Sequence, residues 1–213
     1  MPVTTTSDWD RYYEQYPIPE FMVRRLWAHF AAVIARHLHN SRERLVVAEL
    51  GGADSCMYDR FVGTFGVREY HVLDNNHLGL QRFLERKRSN TLVHDCDLLQ
   101  GGIPRQIAAD VVFSVGVIEH FEPADTAKVI DAHFAVARPG GLVVMSYPTP
   151  TAAYWGYRRF LEAARLFPPL YERPLGKDEV LSTTTRLGDT LDCHRIWSTI
   201  LTQMIVAVRK CRR

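Results

Sequence analysis

The stretch Leu45-Val46-Val47-Ala48-Glu49-Leu50-Gly51-Gly52-Ala53-Asp54-Ser55 decides how the rest of the chain is read. A short apolar run that stops at two glycines predicts a buried strand, Leu45 to Leu50, entering a tight turn. The same theme recurs downstream. A helix is expected over Cys56–Thr64, a strand over Tyr70–Asp74, a helix over His77–Arg88 and a strand over Thr91–Asp95. Val111–Val117 is a fourth apolar run, and Pro123 stands where a helix would begin, ending near Pro139-Gly140-Gly141. Leu142–Tyr147 is the fifth strand. Strands that alternate with helices imply an α/β fold, a mostly parallel sheet covered on both faces.

Outside this core the pattern changes. Residues 1–44 read as an N-terminal extension: Asp8–Gln15 is aromatic and polar, Pro17 and Pro19 interrupt it, and Glu20–Leu38 carries an amphipathic helical pattern. After residue 150, Tyr154–Phe167 suggests a helix closed by Pro168-Pro169, and Glu179–Leu187 a shorter one. His194–Trp197 and Met204–Val208 are candidates for a closing antiparallel pair. No repeat or linker divides the chain, so a single domain over 1–213 is expected.

With 213 residues, 46% hydrophobic and 23% charged, the chain can bury a core without disulfides or metal. A formal charge of +2 gives no reason to expect nucleic acid as partner. Arg82, Arg86, Lys87 and Arg88 are read as the wet face of a helix, and the basic end Arg209-Lys210-Cys211-Arg212-Arg213 as a solvated tail. Cys56, Cys96, Cys193 and Cys211 show no CxxC spacing, which favours a reducing compartment and disfavours structural zinc. No apolar run approaches membrane-spanning length or resembles a leader, so an integral membrane segment is not expected and the cytoplasm is the default location.

The glycine turn invites comparison with dinucleotide sites, whose GxGxxG is followed roughly 20 residues later by an acid for the ribose. Asp74 suits the acid, but Ala53 and Cys56 stand where the second and third glycines belong. Ala53 would add a methyl where a pyrophosphate must approach, and Asp54 a negative charge beside it. A phosphate-free, cationic cofactor suits an acid-bearing turn better. Taken alone, the turn is equally compatible with a helix cap at a tight bend.

Several segments together point further. Val46–Gly52, Val72-Leu73-Asp74-Asn75, Val93-His94-Asp95-Cys96, Ala109–Ser114, Val115-Gly116-Val117-Ile118-Glu119-His120-Phe121 and Ala137-Arg138-Pro139-Gly140-Gly141-Leu142 fall in order and spacing over residues 45–150. This series resembles the class I S-adenosylmethionine-dependent methyltransferases, in particular the small-molecule subgroup that includes ubiquinone-pathway enzymes. The resemblance implies a Rossmann-like, seven-stranded, mostly parallel sheet with helices on both faces. Residues 45–150 would be the cofactor-binding core, 1–44 a helical extension or lid, and 151–213 the acceptor-side helices and closing strands.

It also implies roles. Glu49 would lie near the methionine amino group and the Gly51, Gly52 and Ala53 backbone beside the cofactor. Asp74 would accept from the ribose hydroxyls, while Asn75 or Asn76 lines the adenine. Asp95 would accept from the adenine amino group opposite the Cys96 amide, and Ser114 and Val115 would line the methionine portion. Three spaced glycines are usual in the family; Ala53 and Ser55 depart from that. Glu119 is read as structural, pairing with a helix N-terminus. His120 is the candidate base, needed if the acceptor is a hydroxyl. The acceptor pocket is expected from Tyr12, Tyr13 and Tyr16 and from Tyr154, Trp155 and Arg158, with Tyr157 and Arg159 nearby.

The function so implied is methyl transfer from S-adenosylmethionine to a small molecule, on oxygen, by in-line displacement. Oligomeric state and acceptor identity are left open. A catalytically inactive module of the same fold is the alternative, supported by the altered glycines, and a nucleotide-dependent reductase is a weaker third. The Ser114–Val117 segment lacks the Asp/Asn-Pro-Pro-aromatic signature of enzymes that methylate amines in DNA.

Overall fold

Alternating apolar residues along the parallel strands sort the core into two layers. A computed structural model describes residues 5–16, 19–38, 44–167, 170–197 and 202–212. Its elements, in order, are α1 (Thr6–Gln15), α2 (Glu20–His37), β1 (Leu45–Leu50), α3 (Tyr58–Thr64), β2 (Val67–Asp74), α4 (His77–Glu85), β3 (Thr91–Asp95), β4 (Ala109–Val115), α5 (Pro123–Val136), β5 (Ala137–Pro148), α6 (Ala152–Ala163), α7 (Lys177–Thr184), β6 (Gly188–Ile196) and β7 (Gln203–Lys210). Seven strands form one sheet in the order β3-β2-β1-β4-β5-β7-β6. Neighbours from β3 to β5 are parallel, and β7 runs antiparallel to both β5 and β6.

Every residue of β1 is buried, as a central parallel strand requires. Leu45 and Val47, with Tyr70, Val72, Phe113 and Val144, face α2, α3 and α4 through Phe30, Ile34, Phe61 and Phe83. Val46, Ala48 and Leu50, with Leu73, Val112 and Val143, face α5 and α7 through Val129, Ile130 and Val180. The amphipathic reading of Glu20–Leu38 therefore holds, with Val23, Leu26, Phe30, Val33 and Ile34 inward.

Several boundaries differ from expectation, for local reasons. β2 starts at Val67, because exposed Arg68 and half-exposed Glu69 hid its first turns of alternation. The Pro139-Gly140-Gly141 segment lies inside β5 rather than before it. β6 begins at Gly188 and not His194, since an edge strand exposes residues such as Asp189 and Thr190. Asp8–Gln15 is a helix. Pro17, the Pro168-Pro169 closure and Arg213 lie outside the described residues. Among the described residues no helix is long and apolar enough to cross a membrane, and no cluster of His, Cys, Asp or Glu is arranged to hold a metal. All four cysteines are free.

The basic terminus also reads differently in three dimensions. Arg209 and Lys210 belong to β7. Lys210 Nζ donates to the Phe134 and Ala137 carbonyls, and Arg209 to those of Gly140 and His37. These cations serve orphan carbonyls at an element junction, so the segment is not a loose tail.

Candidate active site

The turn after β1 is shaped by its own sequence. Gly51 has φ +67°, a backbone state that disfavours side chains, and a Cβ there would stand 2.4 Å from Val117 Cγ2. Asp74, at the tip of β2, ties the turn to the neighbouring strand. One carboxylate oxygen accepts from the Ala53 amide at 3.0 Å, the other from the Asn76 amide at 2.9 Å. The side chain is 9% exposed, and burial raises its pKa against the pull of those amides. Each oxygen keeps a further lone pair for an incoming hydroxyl.

Glu49 sits beneath this turn. Its carboxylate accepts from the Tyr70 hydroxyl at 2.7 Å, and the Gly52 α-carbon packs directly on it. Burial pushes it up to about 7, despite hydrogen bonds from Ser55 and Tyr70 that oppose the shift. The Ser55 hydroxyl in turn accepts from the Met57 and Tyr58 amides at 3.2 and 3.1 Å, anchoring the start of α3.

The departure from glycine at position 53 has a structural partner. Ala53 is fully buried, and a Cβ built on Gly79 of α4 would stand 2.5 Å from the Ala53 methyl. The methyl points at α4 and raises no obstacle where the backbone faces the cleft, so Ala53 does not by itself disfavour a dinucleotide. Asp54 is likewise engaged internally, by Arg86. Gly79→Val should lower stability by about 1–3 kcal/mol through overpacking at this contact. Urea midpoints compared at constant m-value check it, and an unchanged midpoint would show that the contact yields.

The arginines expected to be a wet face do structural work instead. Arg86 and Arg88 both donate to the Ser55 carbonyl at 3.3 Å. Arg88 also pairs with Asp59 at 2.7 Å and lies over the Tyr58 and Phe83 rings. Arg82 donates to the Tyr13 carbonyl at 2.9 Å. Together they brace the turn and hold α1 against α4.

α1 lies across the tips of the strands. Asn76 caps α4 through the Gly79 amide and donates its side-chain N–H to Asp10 at 2.7 Å. Trp9 meets the His120 ring edge-on, with centroids 4.8 Å apart. Tyr12 stacks on Tyr16 and touches Tyr13 and Trp9. Burial pushes the Tyr12 hydroxyl up to about 12, with Cys56, Glu172 and Glu119 adding to it. Burial raises Tyr13 as well, helped by Asp74, Asp54 and Glu49.

On the other side, the short turn Ile118–His120 after β4 presents His120 and Glu119. His120 Nδ1 lies 2.6 Å from the Tyr171 carbonyl, which can only accept. The proton of the neutral ring therefore sits on Nδ1, leaving Nε2 as the basic nitrogen. Burial lowers the His120 pKa, partly countered by the Tyr171 carbonyl, the Glu172 carboxylate and the Gly116 backbone. Glu119 is 2% exposed, and its Oε2 has no partner among the described residues. Pairing with a helix N-terminus is not what it does: burial and the nearby Glu172 carboxylate hold it well above the usual carboxylate range.

The acceptor-side residues divide. Tyr154 is buried and donates to Glu172 at 2.6 Å, while Arg158 donates to the Tyr154 hydroxyl and the Glu172 carbonyl. Trp155 is 44% exposed, yet its ring meets Tyr154 edge-on at 5.2 Å and lies under the Arg158 guanidinium. Trp9 and Glu172 belong to the site but stood in segments without a motif; only their contacts mark them.

Among the remaining candidates, Ser114 is fully buried with its hydroxyl unpartnered among the described residues, and Val115 is half-buried at the tip of β4. Asp95 ends β3, mostly exposed, 3.4 Å from His77 Nδ1. Asn75 is exposed, whereas Asn76 is spent on the cap and on Asp10. The Cys96 amide donates to the Asp74 carbonyl at 2.9 Å, so it is not free to face an adenine nitrogen. That expected role is corrected.

The strand order places an antiparallel β7 between β5 and β6, unlike the 3-2-1-4-5-6 order of dinucleotide folds. No family model and no curated protein matches the chain. Solved structures do. The 1,6-didemethyltoxoflavin-N1-methyltransferase of Burkholderia thailandensis, solved with bound 1,6-didemethyltoxoflavin and S-adenosylhomocysteine, is 15% identical with TM-score 0.68, covering 99% of this chain and 92% of its own. Magnesium protoporphyrin IX methyltransferase (ChlM) of Synechocystis PCC 6803, with S-adenosylhomocysteine, is 12% identical with TM-score 0.67, covering 96% and 93%. The N-methyltransferase NodS of Bradyrhizobium japonicum, also with S-adenosylhomocysteine, is 15% identical with TM-score 0.62, covering 86% of each.

The chain has the class I methyltransferase fold. The expected seven-stranded Rossmann-like architecture is thereby met, at identities that speak for the fold.

Proposed function

We propose that the chain transfers a methyl group from S-adenosylmethionine to a hydroxyl of a small-molecule acceptor in the cytoplasm. The observation that carries this reading is His120. Its Nδ1 is committed to the Tyr171 carbonyl, and its Nε2 is left basic at the strand tips, beyond the turn that Asp74 staples. The donor set also fits the cofactor. Asp74 keeps lone pairs for ribose hydroxyls, Asp95 and Asn75 stand at the neighbouring tips, and Ser114 offers an unpartnered buried hydroxyl beside Val115. The Gly51-Gly52-Ala53 backbone forms the floor, with Glu49 under it. The alternative of an inactive module loses its support, since the Ala53 methyl is housed against Gly79.

When bound, the cofactor supplies an electrophilic methyl carbon on a sulfonium. The chain's own residues would orient the acceptor, take its proton and exclude water. His120 Nε2 would accept the acceptor hydroxyl's proton, the ring becoming imidazolium while Nδ1–H stays on the Tyr171 carbonyl. Tyr12, Tyr13 and Tyr16 on α1 form the roof, and Tyr154 with Arg158 the far wall. Trp155, packed edge-on against Tyr154 and under Arg158, would extend that wall toward solvent. Holding the acceptor oxygen in line with the breaking bond accounts for several kcal/mol of the barrier.

The test pairs calorimetry with mass spectrometry. Saturable S-adenosylmethionine binding, and transfer of an isotopically labelled methyl to an oxygen in a metabolite extract, are expected. Binding of NADPH with indifference to S-adenosylmethionine would overturn the reading, as would a product labelled on nitrogen or carbon for the hydroxyl assignment.

A further inference from the structure

At the opposite end of the sheet, away from the strand tips, the starts of β1, β4 and β5 meet the end of β7. They enclose a cavity of about 330 Å³. Leu45 and Leu142 line it with apolar surface, and Asp110, Arg138, Arg209 and Arg212 bring charge to it. Three guanidinium groups thus face a single carboxylate.

The arginines are not equally committed. Arg138 Nε donates to Asp110 at 2.6 Å and its Nη1 to the Pro139 carbonyl at 3.2 Å. Arg209 is held rigidly between two carbonyls, Gly140 at 3.1 Å and His37 at 2.5 Å. Arg212, exposed at the rim, has no hydrogen bond or ion pair among the described residues. Asp110 is shared with the Val46 amide, which it accepts at 2.9 Å. Its charge is therefore partly used in closing the start of β1.

Two positive charges remain uncompensated in a recess that mixes polar and apolar surface. Gathering like charges where water is partly excluded is costly unless an anion joins them. Burial, then the neighbouring Arg138 and Arg212, accordingly depress the Arg209 pKa. Guanidinium forks match the oxygens of a phosphate, which they can grip two bonds at a time. The volume is at the small end for ligand pockets and leaves room for little beyond a compact group.

We propose that this cavity is a phosphate-dianion site, with Arg138, Arg209 and Arg212 on the anion and Leu45 and Leu142 against any organic group it carries. The site lies outside the methyl-transfer crevice, so the proposal stands independently of the activity proposed above. The dianion could arrive as free phosphate or as a small phosphate monoester.

The full chain is titrated calorimetrically with inorganic phosphate and with glucose 6-phosphate, against sodium chloride at matched ionic strength. Saturable binding of at least one phosphate compound, accompanied by a rise in Tm that chloride does not reproduce, is expected. Tighter binding of the ester would assign the apolar wall to its organic part; equal or tighter binding of free phosphate would identify that as the ligand. Arg212→Gln, at an exposed side chain without partners, should fold normally and bind about tenfold more weakly. Arg138→Gln should do the same, with some loss of stability from freeing Asp110. Absence of saturable binding at millimolar phosphate, unchanged affinity in Arg212→Gln, or tight polynucleotide binding without monoester binding would each overturn the proposal.

Discussion

His120→Ala is expected to lower kcat roughly 10²–10⁴-fold while leaving the Kd for S-adenosylmethionine nearly unchanged, the signature of a proton acceptor outside the cofactor contacts. The pH profile separates this from a packing role. Burial lowers the His120 pKa from its ordinary 6.5. Because the neutral ring is the base, kcat should stay level through neutrality and fall only as the pH drops below that value. Depression of the pKa moves the acid limb to lower pH, never higher. The alanine variant should lose this limb, and an added imidazole buffer should restore part of the rate. Near-normal turnover with an unchanged acid limb would remove His120 from the chemistry.

The second large effect is expected at Asp74. Asp74→Asn replaces one acceptor oxygen by a donor where the carboxylate now meets two amides, Ala53 and Asn76. Loss of a charged hydrogen bond to ribose, with loosening of the turn, should weaken S-adenosylmethionine about 10- to 100-fold. Wild-type protein should also discriminate against a cofactor analogue lacking the ribose hydroxyls, and the variant should not. If the variant weakens both ligands equally and keeps the discrimination, Asp74 is a staple of the turn and nothing more.

The parallel half of the sheet was legible because central strands are buried on both faces and end where the backbone must turn. Val46–Gly52 and Leu73-Asp74 show both features within a few residues. Edge strands lack them. β6 spends exposed positions on Asp189 and Thr190, so only its last residues looked like a strand. The short turn with Glu119 and His120 was found through family likeness, but the fate of each side chain was not readable. Which His120 nitrogen is basic depends on the Tyr171 carbonyl, 51 residues away in sequence. The arginines of α4 looked solvated because their partners, Ser55, Asp54 and Tyr13, come together only through the fold. Likewise the fit of Ala53 depends on Gly79 of α4, a partner that the turn's own sequence does not reveal.

The outer strand β6 has a bearing on how this chain behaves in concentrated solution. An open sheet edge offers unpaired N–H and C=O groups to any passing strand. Here the pairing of β6 with β7 slips between Thr190 and Asp192, which breaks the flatness a docking strand would need. Asp192 is tied to Arg36 and His194 on that same strip, placing fixed charge along the rim. Sheet-to-sheet aggregation is thereby discouraged at this border by local irregularity and charge.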